Sequence, residues 1–82
     1  MMSRTLSSPR HEALRAFIRE KRRAADLTQR EVAARMGRQQ SFVSAVESGQ
    51  HRVSVVELMD FAEAIGFDPR SAIRRLAKSA KR

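Results

Sequence analysis

Residues 28–49 read TQREVAARMGRQQSFVSAVESG and decide the fold. The stretch predicts two short helices joined by a tight turn at Gly37, because glycine readily adopts the left-handed conformation that ends many helices. Ala33 is small enough for two helices to approach closely, while Val43 and Val46 have the spacing that buries one face of the second helix. We therefore expect two helices that meet at a steep angle and leave the opposite face of the second helix free.

Caps, prolines and glycines mark helix boundaries along the rest of the chain. A cap-type residue followed by proline favours a helix start, and so does a T/S-x-x-E capping box, whereas glycine commonly follows a helix end. These marks are Ser8–Pro9, Asp68–Pro69, Thr28 with Glu31, Ser54 with Glu57, and Gly37, Gly49 and Gly66. They predict five helices, over about residues 9–25, 28–36, 39–48, 54–65 and 69–78.

Apolar residues recur at helical spacing within each predicted helix, and no segment shows the sustained alternation of a strand. The expected fold class is therefore all-α, a five-helix bundle that contains a helix-turn-helix in one domain over residues 9–78. The apolar stripe of the fifth helix consists of Ala72, Ile73, Leu76 and Ala77. Residues 1–8 are expected to form a flexible basic arm and residues 79–82 a basic tail.

Length and composition indicate a small basic domain. The 82 residues include 17 Lys and Arg against nine Asp and Glu, which gives a formal net charge of +8 and favours nucleic acid over an anionic membrane surface as partner. The absence of cysteine excludes disulfides and thiolate metal sites and is typical of a reducing cytosol. Since the sequence also contains neither a signal peptide nor a long apolar run, we expect a cytoplasmic protein.

The free face of the second helix in the pair carries small or amide side chains. They are Gln40, Ser41, Ser44, Ala45 and Ser48. An ordinary solvated face is bulky and charged, whereas this stripe is short, neutral and able to form hydrogen bonds. Such side chains suit close approach to base edges in the major groove of DNA.

These features resemble the Cro/C1-type helix-turn-helix family, also called the Xre family, from about Leu14 to Leu76. The matching residues are Ile18, Arg22, LTQREVAARMG from Leu27 to Gly37, Gln40, Val43, Val46, Glu47, Gly49, Ser54, Glu57, Leu58, Ala62, Ile65 and Gly66. The resemblance implies a lambda-repressor-like five-helix domain whose recognition helix enters the major groove. It also implies a DNA-binding transcriptional regulator, usually a dimer on a near-palindromic operator.

The resemblance implies roles for individual residues that face DNA. Gln29 is similar to the amide that contacts a phosphate and braces the recognition helix, and Gln40 to the glutamine that binds adenine through N6 and N7. Ser41 and Ser44 occupy variable positions from which a hydroxyl reaches bases or phosphates, and Ala45 one from which a methyl group touches thymine. For each glutamine, the alternative is an ordinary solvated side chain.

Further phosphate contacts are expected on either side of the recognition helix. Arg19, Arg38 and Arg52 flank it from the first helix, the turn and the following loop, although each taken singly is equally well interpreted as a solvated charge. Gln39 and Ser48, at the two ends of the helix, are also candidates for phosphate contacts.

Arg22 and Glu47 are expected to act differently from the residues that face DNA. The family pattern implies a partly buried ion pair between them, and a guanidinium fork suits bidentate contact with a carboxylate. This pair would orient the recognition helix rather than read DNA.

Several residues depart from the family pattern or lack an assigned role. Gln39 stands where Ser or Thr often caps the recognition helix, so the cap is expected to be weaker. Phe42 replaces a usually small polar residue, and packing is favoured over contact with a thymine methyl or a protein partner. His51 is interpreted as a surface residue, and His11 has no metal-ligand partner at useful spacing.

The last helix has two interpretations. Ile73, Leu76 and Ala77 either help to close the domain core or, by analogy with the family, form a two-fold contact between protomers. The expected assembly is a homodimer, with half-sites about one turn of DNA, roughly 34 Å, apart.

The residues fit other functions less well. An enzyme is not expected, because no convergent catalytic groups or phosphate loop are present, and Glu57, Asp60 and Glu63 are typical of a solvated acidic face. The main alternative is an antitoxin that binds a toxin as well as its own operator, through Phe42 or the apolar side of the last helix. The neutral stripe argues against nonspecific or RNA binding. We expect a bacterial or phage-encoded, nucleoid-associated repressor with no cofactor and no metal.

Overall fold

The computed structural model describes residues 8–79, and within them the chain forms five α-helices and no strand. The helices are α1 (Pro9–Ala24), α2 (Gln29–Met36), α3 (Gln40–Ser48), α4 (Val55–Ile65) and α5 (Pro69–Ser79). The predicted all-α, five-helix architecture is confirmed. The predicted arm and tail lie outside the described residues except for Ser8 and Ser79. No helix in this part of the chain is both long enough and apolar enough to cross a lipid bilayer.

Local capping explains where α2 and α4 begin. The Thr28 hydroxyl accepts a hydrogen bond from the Glu31 amide at 3.0 Å, and the Glu31 carboxylate accepts one from the Thr28 amide at 2.8 Å. Ser54 and Glu57 repeat this capping box before α4. Gln39 makes no such bond before α3, so the weaker cap expected there is confirmed. Each side-chain cap stabilises its helix by about 1 kcal/mol, and α3 therefore depends more on packing.

Packing holds α3 by one face only. Val43 and Val46 are completely buried against side chains from α1, α2 and α4, which include Ile18, Val32 and Phe61. Full burial of each such side chain contributes about 1.5–3 kcal/mol. The anchored face fixes the orientation of α3 and leaves its opposite face to solvent.

The core stripe predicted for α5 is only partly correct. Ala72 is fully buried with Phe17 and Leu58, and Leu76 is half-buried, but Ile73 is 52% exposed and Ala77 is also exposed. The small side chain of Ala72 lies on the face that packs against α1 and α4, which turns Ile73 away from the core. An ion pair between Arg75 and Glu20 at 3.2 Å also connects α5 to α1.

Candidate nucleic-acid interface

The outer face of α3 is open over its whole length. Gln40, Ser41, Ser44 and Ser48 are exposed and Ala45 is half-buried. Ser48 uses its hydroxyl within the helix, donating to the Ala45 carbonyl at 3.2 Å. The structure thus brings the predicted stripe together on one surface. Gln40, Ser41 and Ser44 expose polar side chains there that make no hydrogen bond within α3.

Arg22 and Glu47 form a bidentate ion pair beneath this surface. Arg22 Nε donates to Glu47 Oε2 at 2.6 Å and Nη2 donates to Oε1 at 2.9 Å, while Nη1 donates to the Leu27 carbonyl at 2.9 Å. The Arg22 side chain is 12% exposed and that of Glu47 only 2%. A pair so well enclosed joins α1 to the last turn of α3.

The ionised state of Glu47 results from two opposing effects. Burial alone would raise the pKa of Glu47, but hydrogen bonds from Arg22 and Gln29, together with the charges of Arg22 and Arg19, outweigh it and hold this pKa below its usual value. The bond from Arg22 to Glu47 in turn raises the pKa of Arg22. Both groups are therefore charged over the ordinary range of pH.

A chain of hydrogen bonds runs from Glu47 to the outer face of α3. Gln29 Nε2 donates to Glu47 Oε1 at 3.0 Å, and Gln40 Nε2 donates to Gln29 Oε1 at 3.4 Å. Because a carboxylate only accepts, it fixes which end of the Gln29 amide faces inward. Gln40 keeps its own carbonyl oxygen and one N–H for an external partner, the combination that pairs with N6 and N7 of adenine.

A shallow cleft beside Gln40 is lined in part by two arginines. The cleft has a volume of about 450 Å³, and its lining residues are Arg22, Thr28, Gln29, Arg30 and Gln40. Arg30 was not identified from the sequence, although its place in the first turn of α2, next to Gln29, was a usable signal. Arg19 is 47% exposed and lies 3.6 Å from Glu47 Oε1, so one side of its guanidinium faces the carboxylate.

The remaining predicted phosphate contacts lie at the turn and in the loop after α3. The Arg38 guanidinium lies 3.7 Å from the centre of the Phe42 ring, which orders its side chain while leaving it exposed. Gln39 and Arg52 are also exposed. The structure thus places all three candidates on the surface at the two ends of α3.

Phe42 packs inside the domain, as favoured from the sequence. Its ring stacks on Phe61 at 5.8 Å and meets the His51 ring edge-on at 5.0 Å. His51, interpreted from the sequence as a surface residue, is 36% exposed, and its Nε2 lies 3.0 Å from Glu57 Oε1, a contact that the sequence did not reveal. Glu57 likewise is half-buried rather than part of a solvated face. This contact chain fastens the loop that carries Arg52.

The hydrogen bonds to Glu57 also determine its charge. Burial opposes ionisation, but hydrogen bonds from the Ser54 backbone and from His51, together with the charges of His51 and Arg38, outweigh it and lower the pKa of Glu57.

Arg15 is a further residue that the sequence did not single out. Its Nη1 donates to the Glu47 backbone carbonyl at 3.1 Å, which places a positive charge at the C-terminal end of α3. Gly49, with φ of 88°, leaves room for this side chain, because a Cβ atom there would lie 3.1 Å from Arg15 Nε. The end of α3 is thus held by α1 at its backbone as well as at Glu47.

Comparison with known proteins gives a consistent result. A family model described as a helix-turn-helix domain matches residues 13–78. No significant match was found among curated protein sequences. Among solved structures, an XRE-family like protein from Pseudomonas syringae pv. tomato is 45% identical, with a TM-score of 0.80 and 87% of each chain covered.

Two other solved structures are also similar. The restriction-modification controller protein C.AhdI from Aeromonas hydrophila is 36% identical, with a TM-score of 0.68, over 72% of this chain and 86% of that one. The clp gene regulator ClgR from C. glutamicum is 27% identical, with a TM-score of 0.79, over 90% of this chain and 96% of that one.

Proposed function

Since the chain belongs to the XRE-like helix-turn-helix family of DNA-binding regulators, we propose that it is a sequence-specific transcriptional repressor that binds a near-palindromic operator in double-stranded DNA as a homodimer. It acts by occupying DNA, without catalysis and without a cofactor. Its place of action is the nucleoid in the cytoplasm of a bacterium, whether the gene is bacterial or phage-borne. Similarity to a gene regulator and to a controller protein supports the regulatory role.

The observation that carries this proposal is the exposed polar face of α3, on the side of the helix opposite the fully buried Val43 and Val46. Gln40 is oriented through Gln29 and presents a donor and an acceptor to an adenine edge. Ser41 and Ser44 offer hydroxyls to bases or phosphates beside it, and Ala45 offers a methyl group to thymine. A rigid helix with short neutral side chains favours direct readout of bases over general attraction to polyanions.

Phosphate contacts supply affinity and fix the position of the domain on the duplex. We assign them to the predicted residues and add Arg30, which lines the cleft next to Gln40. The full set is Arg19, Gln29, Arg30, Arg38, Gln39, Ser48 and Arg52. With a net charge of +8, binding should weaken steeply with salt, because each neutralised phosphate releases counterions.

The dimer contact is assigned to the exposed apolar surface between α4 and α5. Val55 is 72% exposed, and together with Met59 and Ile73 it borders an apolar cleft of about 460 Å³. Exposed apolar groups clustered in this way mark interaction surfaces. Ala77 lies one helical turn beyond Ile73, whereas half-buried Leu76 packs toward α1 and contributes less of its surface.

The test is selection of random duplexes by the purified protein at about physiological salt, followed by sequencing. Recovery of a near-palindromic motif is expected, and Gln40→Ala should lose discrimination at one position in each half-site. Gln50→Ala removes the same side chain from the loop beyond α3 and should keep the motif. Tight, salt-sensitive binding without a motif, or equal affinity for single strands, would contradict the operator model.

A further inference from the structure

A third cleft lies away from the exposed face of α3, where the first turns of α1, the loop after α3 and the last turns of α5 meet. Its volume is about 270 Å³, and the residues that line it are Arg10, His11, Leu14, Arg52, Val53 and Leu76. The size is near the lower limit for small-molecule pockets. Apart from Arg52, none of these residues has a role in the proposed DNA contact.

The polar part of this cleft is cationic. Arg10 Nε donates to the Leu76 carbonyl at 3.2 Å, which orients a guanidinium whose other two nitrogens make no hydrogen bond within residues 8–79. Arg52 is exposed and forms no ion pair with any side chain in that same range. Two guanidinium groups, each with several free N–H donors, therefore border one small cavity.

His11 forms the buried side of the cleft. It is 9% exposed, and its pKa is lowered first by burial and then by the positive charges of Arg52 and Arg15, while Glu12 opposes them only in part. Positive potential thus dominates the interior, and a negative charge placed there would be favoured over water.

We propose that this cleft binds an oxyanion, a phosphate or carboxylate group held between the guanidinium groups of Arg10 and Arg52 beside the His11 ring. The apolar part of the cleft wall consists of Leu14, Val53 and Leu76. A ligand that matches the cleft is therefore small and carries its negative charge on a partly apolar molecule. The same chemistry is offered by a small metabolite and by a phosphate of the DNA backbone. Oxyanion binding at this place does not depend on the proposed operator binding.

The chain's two histidines allow a direct test by NMR, in which their ring protons are followed against pH in the DNA-free protein. Inorganic phosphate is added in steps at constant ionic strength, with chloride as the balancing ion. We expect the pKa of His11 to rise with phosphate and to reach a plateau, because a bound anion offsets the two arginines. His51 lies on the other side of the loop against Glu57 and serves as the internal control. Equal shifts of both histidines would overturn the proposal, as would a His11 pKa that changes neither with inorganic phosphate nor with the DNA duplex used below.

Variants and a second titration identify the site and the source of the oxyanion. Arg10→Gln and Arg52→Gln should each abolish the His11 shift, whereas Arg23→Gln removes the same charge from the far end of α1 and should retain it. The titration is then repeated with a short DNA duplex. A plateau with inorganic phosphate indicates a small anionic ligand, and a His11 shift produced only by the duplex indicates a DNA phosphate. No shift with either one refutes oxyanion binding.

Discussion

Replacement of Arg22 by alanine should destabilise the domain and weaken DNA binding together. Glu47 is 2% exposed, and removal of one partner from a buried ion pair costs about 3–5 kcal/mol because the other charge is left without compensation. Glu47 would keep the hydrogen bond from Gln29 at 3.0 Å and the nearby charge of Arg19 at 3.6 Å. These remaining partners favour the lower end of the range, about 3 kcal/mol.

Urea unfolding followed by circular dichroism measures this loss. With a slope of about 1 kcal/mol per molar urea for a domain of this size, the midpoint should fall by about 3 M. Arg23→Ala removes an exposed arginine from the next position of α1 and should leave the midpoint within about 0.5 M. The double variant Arg22→Met with Glu47→Leu should recover most of the stability, since an apolar pair of similar volume often replaces a buried ion pair without loss.

Operator binding by the same variants separates a structural role of Arg22 from a direct one. Fluorescence anisotropy should detect weaker binding by Arg22→Ala even where the protein is folded, because Arg22 no longer fixes the Glu47 carboxylate, through which Gln29 and then Gln40 are oriented. If Arg22→Ala keeps the wild-type urea midpoint and loses only DNA binding, Arg22 contacts DNA directly and the structural interpretation is refuted.

Three further predictions concern the dimer contact, the end of α3 and acid stability. Ile73→Lys places a charge in the apolar surface between α4 and α5 and should convert the proposed dimer to a monomer in sedimentation equilibrium. Gly49→Ala should cost about 2 kcal/mol in a urea melt, because alanine is strained at a φ of 88° and its Cβ crowds Arg15. Burial opposes ionisation of Glu47, but the hydrogen bonds from Arg22 and Gln29 and the charges of Arg22 and Arg19 together outweigh it and lower the pKa of Glu47 from 4.5. The stability it contributes is therefore complete above about pH 4.5 and is lost as pH falls through the lower folded value, which a series of urea melts at decreasing pH measures.

Matched controls make these outcomes decisive. Ala34→Lys adds the same charge to the exposed side of α2 and should leave the assembly unchanged. If both lysine variants were monomers, the effect of Ile73→Lys would not place the dimer contact between α4 and α5. In Gly37→Ala the new Cβ atom has no neighbour within 4 Å, so the substitution should lower the free energy of unfolding only by the backbone strain, about 1 kcal/mol. Glu63→Gln removes an exposed carboxylate, and its stability should still fall with decreasing pH as in the wild type. Glu47→Gln should make the stability less dependent on pH. A Glu47→Gln protein with the same pH dependence as the wild type would contradict the assignment to Glu47.

The helices were predictable because the signals that start and end them are local. Thr28 with Glu31 forms a capping box from residues three positions apart, and Gly37 ends α2 by its own backbone preference. The rotation of α5 was not predictable to the same degree. Ala72 and Ile73 are adjacent in one apolar stripe, and only the shape of the neighbouring helices determines which of them is buried.

The residues of the candidate site also include some that were predictable from the sequence and some that were not. The neutral face of α3 follows from helical periodicity and was readable as a stripe of residues. The contact of Arg15 with the Glu47 carbonyl joins positions 32 residues apart, and that of His51 with Phe42 joins a loop to a helix. Neither has a periodic pattern, and an arginine or histidine in isolation looks the same whether it is solvated or engaged. Such residues become identifiable only when the tertiary packing is known.

The hydrogen bonds around Glu47 connect the stability of the domain to the proposed contact of Gln40 with DNA, but they do not involve Ser41 or Ser44. Glu47 Oε1 accepts hydrogen bonds from both Arg22 and Gln29, and Gln29 then accepts one from Gln40. Ser41 and Ser44, by contrast, are exposed on the outer face of α3 and form no hydrogen bond through their side chains within residues 8–79. Their replacement should cost the domain little and alter the preferred operator, whereas replacement of Glu47 loosens the helix that every base contact requires. On this reasoning, operator preference can diverge through the two serines while the Arg22–Glu47 pair is retained.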